Sequence, residues 1–258
     1  MKKILALIPA RMGSSRFPGK PMVRLLGKPM IGHVFARVIQ NPLVLHAAVA
    51  TCDSEIADYI KSIGGRAVMT GNHHERASDR CAEALEILER EENIRYDIVV
   101  MVQGDEPMLH PDMITEAVTP MLQNEQIQVV NLLGRIASTE EFEDRNCIKV
   151  VCDLQGNALY FSREPIPTRS KFSDVPIGKQ VCIIPFRRDY LLHYSRMAPT
   201  PLELAESVDM MRILEHGSQV RMVSTRHTTF AVDTESDARK LEKLLALDTL
   251  TSQYLDNF

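Results

Sequence analysis

The sequence predicts an α/β fold, built on a doubly wound, mostly parallel sheet with a smaller mixed β subdomain in the second half. Two observations support this prediction. Apolar runs alternate with helical patterns through residues 3–103, and shorter β-like segments follow Asn131. The chain has 258 residues, of which 45% are hydrophobic and 25% charged, and this composition is typical of a protein with a substantial core.

The first half repeats the pattern of strand and helix. Residues 3–8 form a continuous apolar run that ends at Pro9, which is typical of a strand buried on both faces. After a polar loop, apolar residues recur at helical spacing over residues 30–39. The segments that follow are a strand at 45–52, a helix at 54–63, a strand at 66–69, a helix at 79–91 and a strand at 96–103.

The carboxyl ends of these strands lead into the loops at 9–20, 52–53 and 103–107. In doubly wound sheets, ligands bind outside the carboxyl ends of the strands. These three loops are therefore where we expect the functional residues of the first half.

The second half carries shorter β-like segments. A turn at residues 155–157 indicates a hairpin, and residues 164–178 contain three prolines and form a predicted loop. We expect a single domain with a first half at 1–133, a second half at 134–230 that covers the active edge of the sheet, and a closing segment at 231–258. The predicted strands are 128–134, 147–153, 157–163, 179–186, 218–225 and 227–233, and the predicted helices are 201–215 and 237–247.

Charge is distributed unevenly along the chain. The first 52 residues contain eight Lys and Arg but no Asp or Glu, whereas the other 22 basic residues and all 34 acidic residues follow. A protein with a net charge of −4 is not expected to bind nucleic acid generally, since that function usually needs a basic face on a basic domain. The basic segment indicates either a small polyanionic ligand or a chance cluster of solvated charges.

The five cysteines are scattered and include no CxxC pair, which favours reduced thiols in a cytoplasmic protein over a disulfide framework or a zinc site. The N-terminal apolar run is too short for a typical signal peptide and lacks a small-residue cleavage site. No stretch approaches the roughly 20 apolar residues of a membrane span. We therefore predict no membrane association.

The first loop has the composition of a phosphate-binding loop. Arg11, Arg16 and Lys20 accompany Gly13 and Gly19 directly after a buried strand. Glycines let backbone N–H groups approach phosphate oxygens, and the cations neutralise their charge. The spacing matches neither a Walker A motif nor the dinucleotide fingerprint GxGxxG. An ordinary polar turn is the alternative interpretation.

Two carboxylates are predicted to follow strands that are remote in sequence. Asp105 lies in QGDEP after the most apolar strand, and Asp233 lies in AVDTESD at the end of the last one. Such carboxylates can hold Mg²⁺ together with substrate phosphates, although each could also serve as a cap of a turn or helix. His73, His74 and His110 lack metal-site spacing and are interpreted as loop residues.

The same residues, taken together, resemble a known family. The segments IPARMGSSRFPGKPM, VQGDEP, IKVVCDLQGNALYFSREPIP and VDTESDARKLEKLL are similar to those of the CMP-Kdo synthetases, the 3-deoxy-manno-octulosonate (Kdo) cytidylyltransferases. The resemblance runs in order from about residue 4 to residue 245. Sialic-acid cytidylyltransferases share the first loop but are less similar in the middle and C-terminal parts.

The resemblance implies a Rossmann-like nucleotidyltransferase fold and transfer of CMP from CTP to the anomeric hydroxyl of a 2-keto sugar acid, with Mg²⁺ required and pyrophosphate released. It implies a homodimer built through the second half. Arg11, Lys20, Asp105 and Asp233 would be catalytic, the two aspartates as magnesium ligands. Nucleotide contacts would come from Ala10, Arg11, Ser15, Arg16, Lys20, Ser78, Arg80 and Gln103, and sugar contacts from Gln103, Arg163, Gln180, Glu206 and Asp209.

The sequence also departs from this family. The usual SGTDR reads RASDR at residues 76–80, and Gln180 and Ile184 replace a sugar-contacting His and Tyr. The sequence thus leaves open a nucleotidyltransferase with another acceptor or nucleotide. An alternative of another class is a non-catalytic nucleotide-binding or regulatory protein.

Overall fold

In a computed structural model, the chain folds into two compact units, one of Met1–Thr115 with Thr229–Phe258 and the other of Glu116–Thr228. The structure describes residues 2–13, 17–168, 177–228 and 230–257. Among these residues, no helix is long and apolar enough to cross a membrane. All five cysteines lie in the described part and are free thiols.

The first unit contains the parallel sheet. The elements in chain order are β1 (Ile4–Ala10), β2 (Arg24–Leu25), β3 (Lys28–Pro29), α1 (Met30–Val38), β4 (His46–Thr51), α2 (Ser54–Ser62), β5 (Arg66–Met69), α3 (Ala77–Glu92), β6 (Ile98–Val102) and α4 (Asp112–Gln123), within which the second unit begins.

Strands β6, β1, β4 and β5 lie side by side in that order, and each neighbouring pair is parallel. The first strand is therefore central, with β4 and β5 on one side and β6 on the other. Such a reversal of strand order is the switch point at which doubly wound sheets bind ligands. All five residues of β6 are buried, as the apolar run predicts. The doubly wound, mostly parallel sheet is confirmed.

The second unit contains a mixed five-stranded sheet in the order β12-β7-β10-β8-β9. Its β12–β7 pair is parallel, and the other three pairs are antiparallel. Gly156 has a φ of 80° in the turn between β8 and β9, where the sequence predicts a hairpin. The elements are β7 (Val130–Arg135), α5 (Thr139–Glu143), β8 (Lys149–Cys152), β9 (Ala158–Ser162), β10 (Gly178–Val181), β11 (Ile183–Arg187), α6 (Arg188–Tyr194), α7 (Pro201–Glu206), α8 (Asp209–Glu215) and β12 (Arg221–Ser224).

The chain then returns to the first unit with α9 (Glu235–Leu245) and α10 (Thr249–Tyr254). Helix α9 begins at a capping box, in which Thr234 and Asp237 bond to each other's backbone N–H groups. Its apolar face shares a buried cluster with the first loop and the β2–β3 hairpin. The cluster consists of Phe17, Leu25, Met30, Val232, Ala238, Leu241 and Leu245.

Several element predictions are wrong in detail. Strand β1 continues through Pro9 to Ala10, because its ladder with β6 ends at Leu7 and Pro9 lies in the ladder with β4 alone. The predicted strand at 179–186 is divided at Cys182 into β10 and β11. Residues 227–228 and 230–233 are not a strand, so Asp233 follows an irregular segment.

The predicted helix at 201–215 is two helices, separated at Ser207, whose φ is 53°. The break leaves carbonyl groups without helical partners, and the guanidinium of Arg163 donates to two of them, those of Glu206 and Ser207. The sequence pattern did not predict α4, α5, α6 or α10. Of these, α5 has five residues and α6 seven, too short for a clear helical period.

Candidate functional site

The first loop is closed by its own backbone. Gly19 adopts a φ of 73°, and its N–H donates to the carbonyl of Met12 at 3.0 Å. A residue with a side chain would be strained at this φ, so glycine is required for the closure. The next residue, Lys20, begins a short 3-10 helix, Lys20–Met22. The loop thus directs the Lys20 side chain to the carboxyl edge of the sheet.

The QGDEP turn packs closely against this edge. A Cβ at Gly104 would lie 3.3 Å from the carbonyl oxygen of Pro9, so a larger residue would push the turn away from β1. The carbonyl of Asp105 accepts a hydrogen bond from the N–H of Val232 at 2.9 Å. This backbone bond brings Asp233, the next residue, beside Asp105.

Three charged side chains meet where the loop, the turn and the C-terminal segment converge. The Nζ atom of Lys20 lies 2.8 Å from Oδ2 of Asp105 and 3.5 Å from Oδ1 of Asp233. Their side chains are 13%, 23% and 21% exposed, which shields the charges partly while leaving them accessible. Because two carboxylates face one ammonium group, the cluster retains a net negative charge.

Carboxylate oxygens that converge on one cation are the ligand type that Mg²⁺ prefers. The ammonium group of Lys20 already lies at the point that Asp105 and Asp233 share, so the pair accommodates a cation there. The residues present therefore fit a magnesium ion.

Asp53 is a functional candidate that the sequence reasoning missed. It occupies the N-cap position of α2, yet its side chain makes no capping bond there. Instead, its Oδ2 atom accepts the N–H of Met12 at 2.8 Å. The carboxylate therefore fixes the first loop rather than the helix. Its position at the carboxyl end of β4 could have identified Asp53 as a candidate.

Ala10, Gln103 and Ser78 are also predicted to contact the nucleotide. Ala10 ends β1 and is buried, and Gln103 follows β6 and is half-buried. Ser78 is fully buried in the first turn of α3. Ser15 and Arg16 lie outside the described residues.

Arg11 and Arg80 meet at one backbone carbonyl. The buried guanidinium of Arg80 donates to Oγ1 of Thr70 at 2.5 Å, to the carbonyl of Gly71 at 3.3 Å and to that of His74 at 3.4 Å. The exposed side chain of Arg11 donates to the same His74 carbonyl at 3.3 Å. The loop before α3 therefore joins the two arginines.

In the second unit, Arg163 and Glu206 bind each other's main chain. The N–H of Arg163 donates to Oε2 of Glu206 at 2.8 Å, and its Nε donates to the Glu206 carbonyl at 2.5 Å. Tyr160 also donates its hydroxyl to Glu206 at 3.1 Å. Burial and the neighbouring carboxylate raise the pKa of Tyr160, so its hydroxyl stays protonated as the donor.

Gln180 and Asp209 are the other predicted sugar residues of the second unit. Gln180 on β10 donates to Oδ1 of the buried Asn131 at 2.7 Å. Asp209 begins α8 and is half-buried, and its carbonyl accepts from the hydroxyl of Tyr194 at 3.2 Å. Ile184, at a position that departs from the family pattern, is buried in β11.

Comparisons with known proteins agree on one family. The cytidylyltransferase family model matches residues 5–224. A 3-deoxy-manno-octulosonate cytidylyltransferase of Geobacter metallireducens is 44% identical over 94% of this chain and 98% of its own length. The enzyme of the same name from Geobacter sulfurreducens is 42% identical over 93% of this chain and 99% of its own.

Solved structures show the same likeness. A CMP:2-keto-3-deoxy-manno-octonic acid synthetase in complex with CTP superposes with a TM-score of 0.86 at 36% identity, covering 95% of this chain and 99% of that one. A cytidylyltransferase of Leptospira borgpetersenii shares the fold with a TM-score of 0.64 at 17% identity, covering 100% of this chain and 92% of its own.

Proposed function

The chain belongs to the 3-deoxy-manno-octulosonate cytidylyltransferase family, and from this premise we propose that it transfers CMP from CTP to the anomeric hydroxyl of Kdo and releases pyrophosphate. The chain is a nucleotidyltransferase. The observation that carries the proposal is the convergence of Lys20, Asp105 and Asp233 at the switch point of the parallel sheet. A non-catalytic protein would not need both carboxylates at the position of one cation.

We assign Asp105 and Asp233 as the ligands of Mg²⁺. When bound, the ion would neutralise phosphate charge and help to align the triphosphate with the attacking oxygen. Lys20 and Arg11 would bind phosphate oxygens directly, since both cations lie at the carboxyl edge of the sheet or beside it. Ala10, Ser15, Arg16, Ser78, Arg80 and Gln103 complete the proposed nucleotide site.

In the proposed reaction, the protein itself takes little part in covalent chemistry. The anomeric hydroxyl of the sugar attacks the α-phosphorus of CTP and releases its proton, and the bond from that phosphorus to the bridging oxygen breaks as pyrophosphate leaves. Negative charge develops on the leaving pyrophosphate, and the cationic side chains of Lys20 and Arg11 stabilise it. Positioning and fixed charge therefore supply the main part of the catalysis.

The acceptor assignment rests on the relatives, whose names specify Kdo. Arg163 would bind the carboxylate of the sugar acid, and Gln103, Gln180, Glu206 and Asp209 would bind its hydroxyl groups. Gln180 and Ile184 differ from the family pattern, so a related 2-keto sugar acid is the natural competitor for Kdo.

A pyrophosphate-release assay tests the proposal. The purified chain with Mg²⁺, CTP and Kdo should release pyrophosphate and form CMP-Kdo, detected by mass spectrometry. Replacing CTP by UTP, ATP or GTP, or omitting Kdo, should reduce release at least about a hundredfold, as expected for a site whose polar groups match one substrate. Absence of release with CTP and Kdo, in protein shown to be folded, would refute the proposal.

A homodimer built through the second half and a cytoplasmic location stay predictions. Light scattering of the purified chain measures the first directly, with a mass near twice 29.1 kDa expected. Fractionation of cells that produce the chain measures the second.

A further inference from the structure

Glu83 lies on α3 and is remote in sequence from Lys20, Asp105 and Asp233. It binds the loop before α3, whose His74 carbonyl joins Arg11 and Arg80. Its Oε2 atom accepts the N–H of Gly71 at 2.9 Å and also bonds to Nε2 of His74. One carboxylate oxygen thus holds both ends of the segment 71–74. The side chain of His74 is 13% exposed and that of Glu83 is 35% exposed, so the contact is shielded from water mainly on the histidine side.

The backbone carbonyl of His74 binds other residues than its side chain does. Its carbonyl accepts from Arg11 at 3.3 Å and from the buried Arg80 at 3.4 Å. The imidazole fixes the segment to α3 through Glu83, while the carbonyl one bond away from the same Cα orients Arg11. The position of the imidazole therefore determines where the Arg11 contact lies.

The charge state of Glu83 agrees with this geometry. Burial opposes its ionisation, but the bonds from the Gly71 N–H and from His74 outweigh burial and lower the pKa of Glu83. The carboxylate is consequently ionised at neutral pH. It is an acceptor for both partners, with the imidazole donating through Nε2.

We propose that Glu83 and His74 form a latch that positions Arg11 for the triphosphate of CTP. Both are positioning residues, because they act through the backbone carbonyl of His74. The inference rests on the proposed function, in which Arg11 binds phosphate. A latched loop binds nucleotide without first losing the entropy of a free segment, so release of the latch should weaken CTP binding.

The test compares Glu83→Gln with the wild-type enzyme. The amide keeps the size of the side chain but loses the charge that pairs with His74. We expect KM for CTP to rise about tenfold, with kcat and KM for Kdo changed less than about threefold. Calorimetric titration with CTP and Mg²⁺ alone should show a Kd weakened by the same factor. A purely structural role of Glu83 would not confine the change to CTP.

Glu86→Gln is the matched control, because Glu86 is exposed on the same helix, three residues further along. This variant removes an equal charge from α3 without touching the loop. It should retain the wild-type KM for CTP. A Glu83→Gln enzyme within twofold of wild type, or one indistinguishable from Glu86→Gln, would overturn the latch.

His74→Asn removes the other partner of the same contact. It serves as a second test in case the Glu83 variant misfolds. We expect the same rise in Kd for CTP, and the double variant should be no weaker than either single one, since both changes break one interaction. Additive effects would overturn the latch. If wild type binds CTP but turns over no Kdo, the proposed acceptor fails while the Kd series still decides the latch.

Discussion

The charged residues of the two units have different surroundings, although both sets were predicted as substrate contacts. In the first unit, Lys20, Asp105 and Asp233 are side chains of opposite sign that face each other at an open sheet edge. In the second, Arg163 and Glu206 bind main-chain groups of their own neighbourhood. The comparison teaches that a charged side chain which holds backbone is part of the scaffold, whether or not it also meets substrate.

This difference predicts which variants lose catalytic activity and which lose stability. In the described part of the chain, the bonds that join Lys20, Asp105 and Asp233 run between side chains, so the fold should tolerate the loss of one of these charges. Removing one from the second leaves carbonyl or N–H groups, some of them partly buried, without these partners, and a buried group left so costs about 1–3 kcal/mol. Four measurements can sharpen or contradict this comparison.

The largest effect is expected for Asp105→Asn and Asp233→Asn. Each should lower kcat at least about a thousandfold, equivalent to about 4 kcal/mol of transition-state stabilisation, because each removes a charge from the proposed metal site. The melting temperature should change little. Steady-state pyrophosphate release and thermal unfolding measure the two quantities.

Asp58→Asn is the control for these variants, since Asp58 is an exposed carboxylate of α2 in the same unit. It should leave kcat unchanged. Substantial activity in Asp105→Asn or Asp233→Asn would contradict the two-carboxylate site, and a large fall in melting temperature would contradict the assignment of this cluster to function alone.

The second effect concerns the scaffold of the other unit. Lys149 is fully buried, and its ammonium group donates to the carbonyls of Asp144, Cys147 and Arg163 at 2.8, 2.6 and 2.6 Å. Lys149→Met keeps the length of the side chain but leaves three carbonyls without this donor. We expect a loss of about 3 kcal/mol in the free energy of unfolding, measured in urea.

Lys179→Met provides the comparison variant in the same sheet. Lys179 pairs with Glu141 in a less buried setting, 17% and 26% exposed, so its loss should cost less than about 1 kcal/mol. Equal stability losses for the two lysine variants would show that backbone bonding does not define the scaffold of this unit.

The third effect tests a residue that has both roles. Arg163→Lys keeps the charge but loses the planar fork that donates to Glu206, Ser207 and Arg145. We expect unfolding to become easier by about 2 kcal/mol and KM for Kdo to rise about tenfold, with KM for CTP unchanged. An equal rise in both KM values would remove Arg163 from the sugar site.

The sequence was informative where local pattern decides structure. Apolar runs predicted β1, β4 and β6, and the position of Asp105 after β6 placed it at the ligand edge. Asp233 was identified too, although the strand predicted before it is irregular. Its location beside Asp105 depends on a backbone bond between Val232 and Asp105, which no local pattern reports.

The misses share a physical cause. The bond from Met12 to Asp53 spans 41 residues, and those from Arg163 to Glu206 and Ser207 span 43 and 44. At the helix break, that distant arginine donates to the carbonyls of Glu206 and Ser207. The periodicity of a single sequence indicates which face of one helix or strand is buried. It does not identify partners that are remote in sequence.

The smallest expected effect is the pH dependence of stability that one buried histidine gives to the first unit. In the first unit, His33 is fully buried, and its Nε2 atom lies 2.8 Å from the carbonyl of Leu25, so Nε2 must carry the proton. Arg37 donates to the hydroxyl of Tyr254, which in turn donates to Nδ1 of His33 at 2.9 Å. The native site is therefore built for a neutral imidazole.

Burial, together with the charges of Arg37 and Lys28, lowers the pKa of His33 despite the bond to Leu25. The unfolded chain takes up this proton near the ordinary value of 6.5, whereas the native state does so only at lower pH. The contribution of His33 to stability is therefore constant above this value and falls as pH decreases through it, because the unfolded state then binds more protons at this group. In the second unit, burial lowers the pKa of Lys149, but its three bonds to carbonyl oxygens require the three donors of the ammonium form.

Urea unfolding of wild type and His33→Gln, each at about pH 7.5 and about pH 5.5, measures the contribution of this one group. Glutamine can still donate to Leu25 but does not titrate, so the variant should lose less stability on acidification than wild type does. Other groups titrate equally in both proteins and cancel in the difference. Identical pH dependence in the two proteins would show that protonation of His33 does not contribute to the acid sensitivity of the first unit.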